Sequence, residues 1–385
     1  MEEPIQCRRL LTGAISLVLL LSCLNCQAIK RRRIKPPEGV ETKSYAVRLR
    51  GYEQTVTIKA PPAKVLAYIA NPANVSISGL KITEATTPPG EGEPIAVGGY
   101  SPFVIRRLGL TIKGRIIVVK SEEDHFWLAL DTPIGFHVER WEFKPARGET
   151  RLTFKMEYEL PEKGALAKLG KLSEMAGLPE EGEKAMDLVL AGVQAHFDPN
   201  LDPEQLVASG LRGEGYETMV QVNEAQVWVN APPARVKAWL TVAENIDRLF
   251  SNLIIFDQPV YQEFERASPG EVVYSPGVLK AGRIHSKIDL CLVKQEEDSE
   301  LFARMFGVTL GYVGALEFYM TPQGGGSLVR TRFISEIPQA IPSETMELFS
   351  FVVGIPQLLP GRLMIIKQGV ENQGQTCLPP GEGSR

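Results

Sequence analysis

Short stretches of alternating apolar and polar residues recur along this chain, in two series with the same order. In the first, Tyr52–Lys59 places Val56 and Ile58 on one face and predicts a strand. Pro61 and Pro62 stop it, and Ala63–Ala70 reads as a short helix with proline at its start, ended by Asn71-Pro72. A strand around Leu80–Ala85 and a Pro/Gly loop, Pro88–Pro94, come next. Four strands then follow in close order: Leu110–Lys120, His125–Asp131, Phe136–Lys144 and Thr150–Leu160. Turn residues separate them at Glu122-Glu123-Asp124, Thr132-Pro133 and Ala146-Arg147-Gly148, so the spacing predicts an antiparallel meander. Leu166–Phe197 is helical in type, with a break at Gly177-Leu178-Pro179.

The second series repeats this order. Ala225–Val229 is a strand, Ala234–Leu240 a short helix, and Leu253–Gln258 and Glu271–Val278 further strands. The meander runs Arg283–Lys294, Leu301–Val308, Ala315–Pro322 and Leu328–Ile337, with a hairpin turn at Gly324-Gly325-Gly326. Ser343 is a good N-cap for a closing helix, Ser343–Val370, which Pro356 and Pro360 are expected to kink or break. The register of the repeat is explicit in sequence. TVTIKAPPAK at Thr55–Lys64 matches QVWVNAPPAR at Gln226–Arg235, and Ala60 and Ala231 lie 171 residues apart. That offset is too long for a solenoid period and suits two whole domains of one fold. Asp198–Glu217, rich in Asp, Pro, Gly and Glu, lies within a linker over 198–219, and 373–385 reads as a frayed tail.

This order resembles the START-like, or Bet v 1-like, superfamily, and within it the bacterial polyketide cyclase/dehydrase and lipid-transport type. The residues that carry the resemblance are Ala60–Val65, Trp141–Pro145 and Gly148–Thr153, then Ala231–Val236, Leu316–Pro322 and Gly325–Val329. It covers about 50–197 and 220–372. Such domains often place a Trp after the first helix, and neither Asn74–Ser78 nor Asn245–Leu249 holds one. The resemblance implies an α+β fold of two tandem helix-grip domains, each a curved antiparallel sheet wrapped on a long C-terminal helix. It also implies an apolar cavity between sheet and helix for lipids, sterols or polyketides. Alternation then assigns the side chains that face inward. They are Trp141, Phe143, Leu152, Phe154, Met156 and Tyr158 in the first domain, and Phe318, Val329 and Phe333 in the second. The same residues equally suit a filled core. His137 and Glu139 share the face of Trp141 and Phe143, and are the weak candidates for an acid/base or ligand-orienting pair.

Composition narrows the classes. A formal net charge of -4 over 385 residues supplies no basic field for nucleic acid. The four His, at 125, 137, 196 and 285, are dispersed, without His-Glu-x-x-His or paired Cys-x-x-Cys, so no metal site or cofactor is expected. Neither a Gly-x-Ser-x-Gly elbow nor a phosphate-cradling glycine loop occurs. Cys7, Cys23 and Cys26 precede the folded part, which keeps Cys291 and the tail residue Cys377, so no disulfide framework is expected.

Residues 1–35 read as a signal or anchor segment with a basic linker. Arg8 and Arg9 precede the apolar run Leu10–Leu24, and Leu21-Ser22-Cys23 resembles a bacterial lipoprotein signal in which Cys23 would be lipidated. The basic run Lys30–Lys35 supports a rival reading, a signal anchor with cytoplasmic domains. The leading functional expectation is a membrane-tethered protein of the bacterial cell envelope that binds or transfers a hydrophobic small molecule or lipid. The alternatives are a cyclase or dehydratase-type enzyme on an apolar substrate, and a structural envelope protein that binds nothing.

Overall fold

The computed structural model describes residues 36–71, 74, 80–82, 95–107, 110–132, 135–159, 178–250, 254–256, 260–281, 284–296, 299–309, 312–336 and 346–373. The chain divides into Met1–Glu38 and Gly39–Arg385, and every element below belongs to the latter. The expected signal segment with Cys23, the helical stretch over 160–177, and the tail with Cys377 lie outside the described residues.

Its strands in chain order are β1 (Val40–Ile58), β2 (Leu80–Ile82), β3 (Tyr100–Arg107), β4 (Leu110–Glu122), β5 (His125–Asp131), β6 (His137–Ala146) and β7 (Glu149–Glu159). Then come β8 (Glu214–Val229), β9 (Ile254–Phe256), β10 (Val272–Ala281), β11 (Ile284–Lys294), β12 (Leu301–Thr309), β13 (Tyr312–Gln323) and β14 (Gly326–Glu336). The helices are α1 (Pro62–Ile69), α2 (Leu178–Phe197), α3 (Pro203–Ala208), α4 (Pro233–Thr241), α5 (Ala243–Phe250), α6 (Val260–Arg266) and α7 (Met346–Gln373). None of the described helices is long and apolar enough to cross a membrane.

The fourteen strands among the described residues form one sheet, ordered β2-β3-β4-β5-β6-β7-β1-β8-β14-β13-β12-β11-β10-β9. Outward from the middle, each half has the same arrangement: a first long strand, then its last strand, then the meander in reverse. The two long strands β1 and β8 pair antiparallel from Val40↔Val227 to Glu53↔Glu214. Arg48 stands opposite Met219, and these residues are 171 apart, the offset of the sequence repeat. A local two-fold axis therefore passes between them. The edges, β2 and β9, are three residues each.

β1 and β8 start well before the expected Tyr52 and Ala225, and the expected linker contains α3 and the start of β8. Glu41 to Ser44 carry no apolar alternation, whereas Tyr45, Val47 and Leu49, with Val220 and Val222 on β8, alternate and face the seam. What makes Glu41 to Ser44 strand is ladder pairing with Asn223–Gln226 across the middle, which side-chain periodicity does not report. β3 holds Pro102 and was not expected as a strand. α7 runs through Pro356 and Pro360 without a break, so of the expected kink or break the latter does not occur.

Three apolar cores result. One lies between the first half of the sheet and its helices, with Tyr52, Val56, Ile58, Trp141 and Phe154 against Met186, Leu190 and Val193 of α2. A second repeats this in the other half, with Val227, Val229, Phe318 and Val329 against Leu359, Leu363 and Ile366 of α7. The third joins the halves. Leu49, Ile117, Val119, Trp127 and Val138 pack against Val222, Cys291, Val293, Phe306 and Ile334. The sheet therefore doubles over, and its two helix-free faces meet. Gly98, at φ 86, lies against Tyr274, and a Cβ there would collide with that ring's stem.

Charge is buried in this seam as well. Asp131 accepts from Arg304 Nη1 at 2.7 Å, Arg115 Nη1 at 2.8 Å and Gln295 Nε2 at 2.9 Å. Arg304 Nε donates to Glu317 at 2.8 Å, and Glu317 also accepts from Tyr319 and Arg332. The crossing is reciprocal. Arg332 reaches Glu159 of the first half at 2.6 Å, and Arg140 reaches Glu336 of the second. Glu159 and Glu336 end β7 and β14, and each also receives a backbone N–H, from Phe136 and Val313. Burial works against the charge of Glu317, and Arg304 and Arg332 more than offset it, holding its pKa below the usual carboxylate range. Glu157 and Glu317 alternate with the inward-facing residues of their strands, and they lie in the seam because the opposite half covers that other face.

Cys291 in the seam is 1% exposed, and burial with the nearby Asp289 charge pushes its thiol up to about 12. The thiolate is the reactive form. Cys291 is therefore expected to resist iodoacetamide at pH 8 in the native protein and to react once unfolded. Peptide mass spectrometry checks this, and native labelling as fast as denatured labelling contradicts it.

Candidate functional site

The hairpin that carries most of the expected pocket residues is set by its turn. Arg147 and Gly148 adopt φ 53 and 89, the left-handed pair that a tight two-residue β-turn needs. This fixes the register His137↔Tyr158, Glu139↔Met156, Trp141↔Phe154 and Phe143↔Leu152. β1 extends the rows on the other side of β7, with Arg50↔Tyr158, Tyr52↔Met156, Gln54↔Phe154 and Val56↔Leu152.

The helix-facing floor of the first half is thus a ladder of rows. Nearest the Ala146–Glu149 turn it is apolar: Val56, Leu152 and Phe143. The next row is Gln54, Phe154, Trp141 and Phe126, with the Trp141 and Phe154 ring centroids 4.3 Å apart. Toward the other end come Tyr52, Met156 and Glu139, and then Arg50, Tyr158 and His137. Trp141, Phe143, Leu152, Phe154 and Met156 all belong to the first core, and Tyr158 packs on its margin.

His137 Nε2 and Glu139 Oε1 are 3.5 Å apart, and the His137 and Tyr158 rings are 5.8 Å apart at 41°. The imidazole and carboxylate are close enough to pair when the ring is protonated, without the geometry of a hydrogen bond. Their side chains are 21% and 14% exposed, so this end of the floor opens toward solvent while the Trp141 row is sealed. α2 is tied to the floor by polar contacts. The Tyr52 hydroxyl lies 2.5 Å from Asp187 Oδ1, which also accepts from Gly213 N, and Arg50 bonds to Glu183 at 2.9 Å. Burial first and Asp187 second raise the Tyr52 pKa far above that of a free phenol, so Tyr52 stays a neutral donor. Residues 75–79, 83–94 and 160–177 lie outside the described residues, so the site is built from its floor and α2.

The second half answers row for row with different chemistry. Counted from Glu159 and Glu336, Tyr158 corresponds to Ser335, Met156 to Phe333 and Phe154 to Thr331. Their partners on β13 are Gly314, Leu316 and Phe318, where β6 has His137, Glu139 and Trp141. Gln54 corresponds to Ala225. Phe318, Val329 and Phe333 all lie in the second core. The cavity beside them, lined by Leu249, Phe250, Phe264, Phe302 and Phe318 among others, holds about 30 Å³. That is room for about one water molecule, and none for a lipid.

Two further groups of polar and aromatic side chains lie outside these floors. Glu122, Asp124 and His125 bring potential metal-ligand atoms within 4.8 Å of one another at the exposed β4–β5 turn, where His125 Nδ1 is 2.7 Å from Asp124. His196 stacks on Tyr68 with centroids 3.9 Å apart, as packing of α2 on α1. Sequence reasoning did not single out Gln54, Tyr52 or Asp187. Gln54 carries the one available signal, a polar residue at an inward position between Tyr52 and Val56.

Residues 51–198 match the family model described as polyketide cyclase/dehydrase and lipid transport. A search of curated proteins found no match. Among solved structures, the di-domain ARO/CYC StfQ from the steffimycin biosynthetic pathway is 11% identical, with 84% of this chain and 99% of that one covered and a TM-score of 0.32. Ara h 8.0201 is 14% identical over 40% of this chain and 99% of its own, with a TM-score of 0.28. TTHA0849 from Thermus thermophilus is 17% identical over 40% and 98%, also at 0.28. The family match spans the first half from within β1 to just past the end of α2, the segment that holds the polar rows of the floor. Residues 51–198 are thus similar to the polyketide cyclase/dehydrase and lipid-transport family, in keeping with the resemblance carried by Ala60–Val65, Trp141–Pro145 and Gly148–Thr153.

Proposed function

We propose that this chain binds or transfers a hydrophobic small molecule, and that the first half alone carries the working pocket. In this reading 50–197 and 220–372 are two helix-grip domains of one fold, each a curved sheet on its long C-terminal helix. The second is a filled brace, and lipidated Cys23 holds the whole at the membrane surface of a bacterial envelope. The observation that carries the reading is the difference between the two floors. His137, Glu139 and Trp141 stand in the first half where Gly314, Leu316 and Phe318 stand in the second, whose cavity is about 30 Å³. Polar groups kept in one otherwise apolar floor and absent from its counterpart are a cost to stability unless a ligand uses them. Affinity would come mainly from apolar burial, at about 25 cal/mol per Å².

The proximity of His137 and Glu139 favours a second reading, a cyclase or dehydratase acting on the same bound molecule, with this pair exchanging the proton. One experiment addresses both. The full-length chain, purified without detergent, is analysed by native mass spectrometry, and the bound material is extracted into organic solvent. One defined apolar mass per chain is expected. Two per chain would contradict the filled second half, and none after incubation with envelope lipids would sink the binding function. Recovery of an offered hydroxylated ligand lighter by one water would move the assignment to the enzyme.

A further inference from the structure

We propose that the first half's floor selects an apolar ligand carrying a carbonyl-type oxygen, which accepts a hydrogen bond from Trp141 Nε1. This rests on the reading of the first half as the working pocket. Trp141 is 2% exposed, and its Nε1 has no hydrogen-bond partner among the described residues. An indole N–H only donates, so no other polarity of ligand group satisfies it. Buried Trp N–H groups normally find an acceptor; Trp127 Nε1, shut in the seam between the halves, also lacks one among the described residues, and what sets Trp141 Nε1 apart is its place on the helix-facing floor beside other unserved polar ends.

Gln54 stands in the same row, on the far side of Phe154, and is 3% exposed. One end of its amide meets the Tyr52 hydroxyl at 2.9 Å, and the other end has no partner among the described residues. Two strand spacings separate the backbones of Gln54 and Trp141, about 10 Å. His137 Nε2, four residues along β6 on the same face, likewise makes no hydrogen bond. Three unserved polar ends thus share one apolar floor.

The fold itself does not require them. The corresponding second-half row is Ala225, Thr331 and Phe318, and its one polar side chain is served locally, Thr331 Oγ1 donating to the Ala225 carbonyl at 3.5 Å. A plain hydrocarbon or the methylene part of an acyl chain would fill the first floor and leave Trp141 unserved. A ketone, quinone or ester on an apolar frame fills it and supplies the acceptor.

The test compares 9-fluorenone with fluorene, the same frame with and without one carbonyl, on the full-length chain labelled with ¹⁵N at tryptophan. Apolar burial alone gives fluorenone no advantage. Fluorenone is expected to bind about tenfold tighter or more, the ordinary effect of serving a buried orphan donor. It should also shift one indole N–H resonance, the one in through-space contact with Phe154. Trp141→Phe is expected to abolish the preference, so that the two compounds bind the variant with equal affinity, whatever that affinity is. If that variant does not fold, the wild-type preference and the shifted resonance decide. Equal affinities with an unmoved Trp141 resonance overturn this inference and leave the pocket standing. Binding of neither compound overturns both.

Discussion

Residues 36–213 produced without the remainder of the chain are expected to give no soluble monomer. The cut removes β8 from β1, and fourteen residues of β1, Val40 to Glu53, lose their paired partners. It also uncovers the helix-free face of the first half, where Leu49, Ile117, Val119, Trp127, Phe136 and Val138 are all at most 4% exposed in the intact chain. Burial of each such side chain contributes about 1.5–3 kcal/mol, and six of them rival the roughly 5–15 kcal/mol that stabilises a whole domain. The charges of that face are stranded too, since Asp131 loses Arg304, Glu159 loses Arg332 and Arg140 loses Glu336. Size-exclusion chromatography with light scattering checks the outcome. A monodisperse monomer with cooperative unfolding would show that the seam is dispensable.

Arg304→Met is expected to destabilise the protein by about 3–5 kcal/mol at pH 7, the usual cost of removing one partner from a buried ion pair. Arg304 is 3% exposed and joins Asp131 of the first half to Glu317 of the second. Methionine keeps most of the volume, so the loss reports the two carboxylates left without it. The pH dependence has a definite sign. In the native protein the Glu317 pKa is depressed, so its stabilisation is present above the unfolded carboxylate pKa and fades as pH falls through the folded value. In the variant, burial favours the protonated form of Glu317, so acidification from pH 7 to pH 5 relieves the strain. The gap between wild type and variant should therefore narrow at pH 5. Urea unfolding at both pH values measures it, and a loss below about 1 kcal/mol at pH 7, or a gap that widens on acidification, would contradict the role given to Arg304.

Much of the fold was legible because side-chain period and turn chemistry act locally. Leu152, Phe154 and Met156 alternate with Arg151, Lys155 and Glu157, and the structure puts the first three in one core. The β5 bounds, His125–Asp131, agree with the sequence pattern to the residue. The seam was not legible, because alternation says which face a residue is on and nothing about what covers the other face. A signal was present all the same. Phe126–Leu130 and Leu290–Val293 are unbroken apolar runs, and a strand apolar on both sides is buried on both sides. Read in that way, they predict a lid over the helix-free face. The candidate site was half visible. Trp141 and its apolar neighbours follow from period two, whereas the pairing that puts Gln54 in the Trp141 row joins residues far apart in sequence, which no local pattern encodes.

The two-fold relation between β1 and β8 bears on how the protein survives at high concentration. A long strand on the rim of a sheet offers rows of unpaired N–H and C=O groups to any passing chain, and is a seed for amyloid-like stacking. Here the strands of 19 and 16 residues are each other's neighbours in the centre, and among the described residues the outermost strands are three residues each. Joining two seven-stranded halves in this way exposes no more rim than one half would have alone.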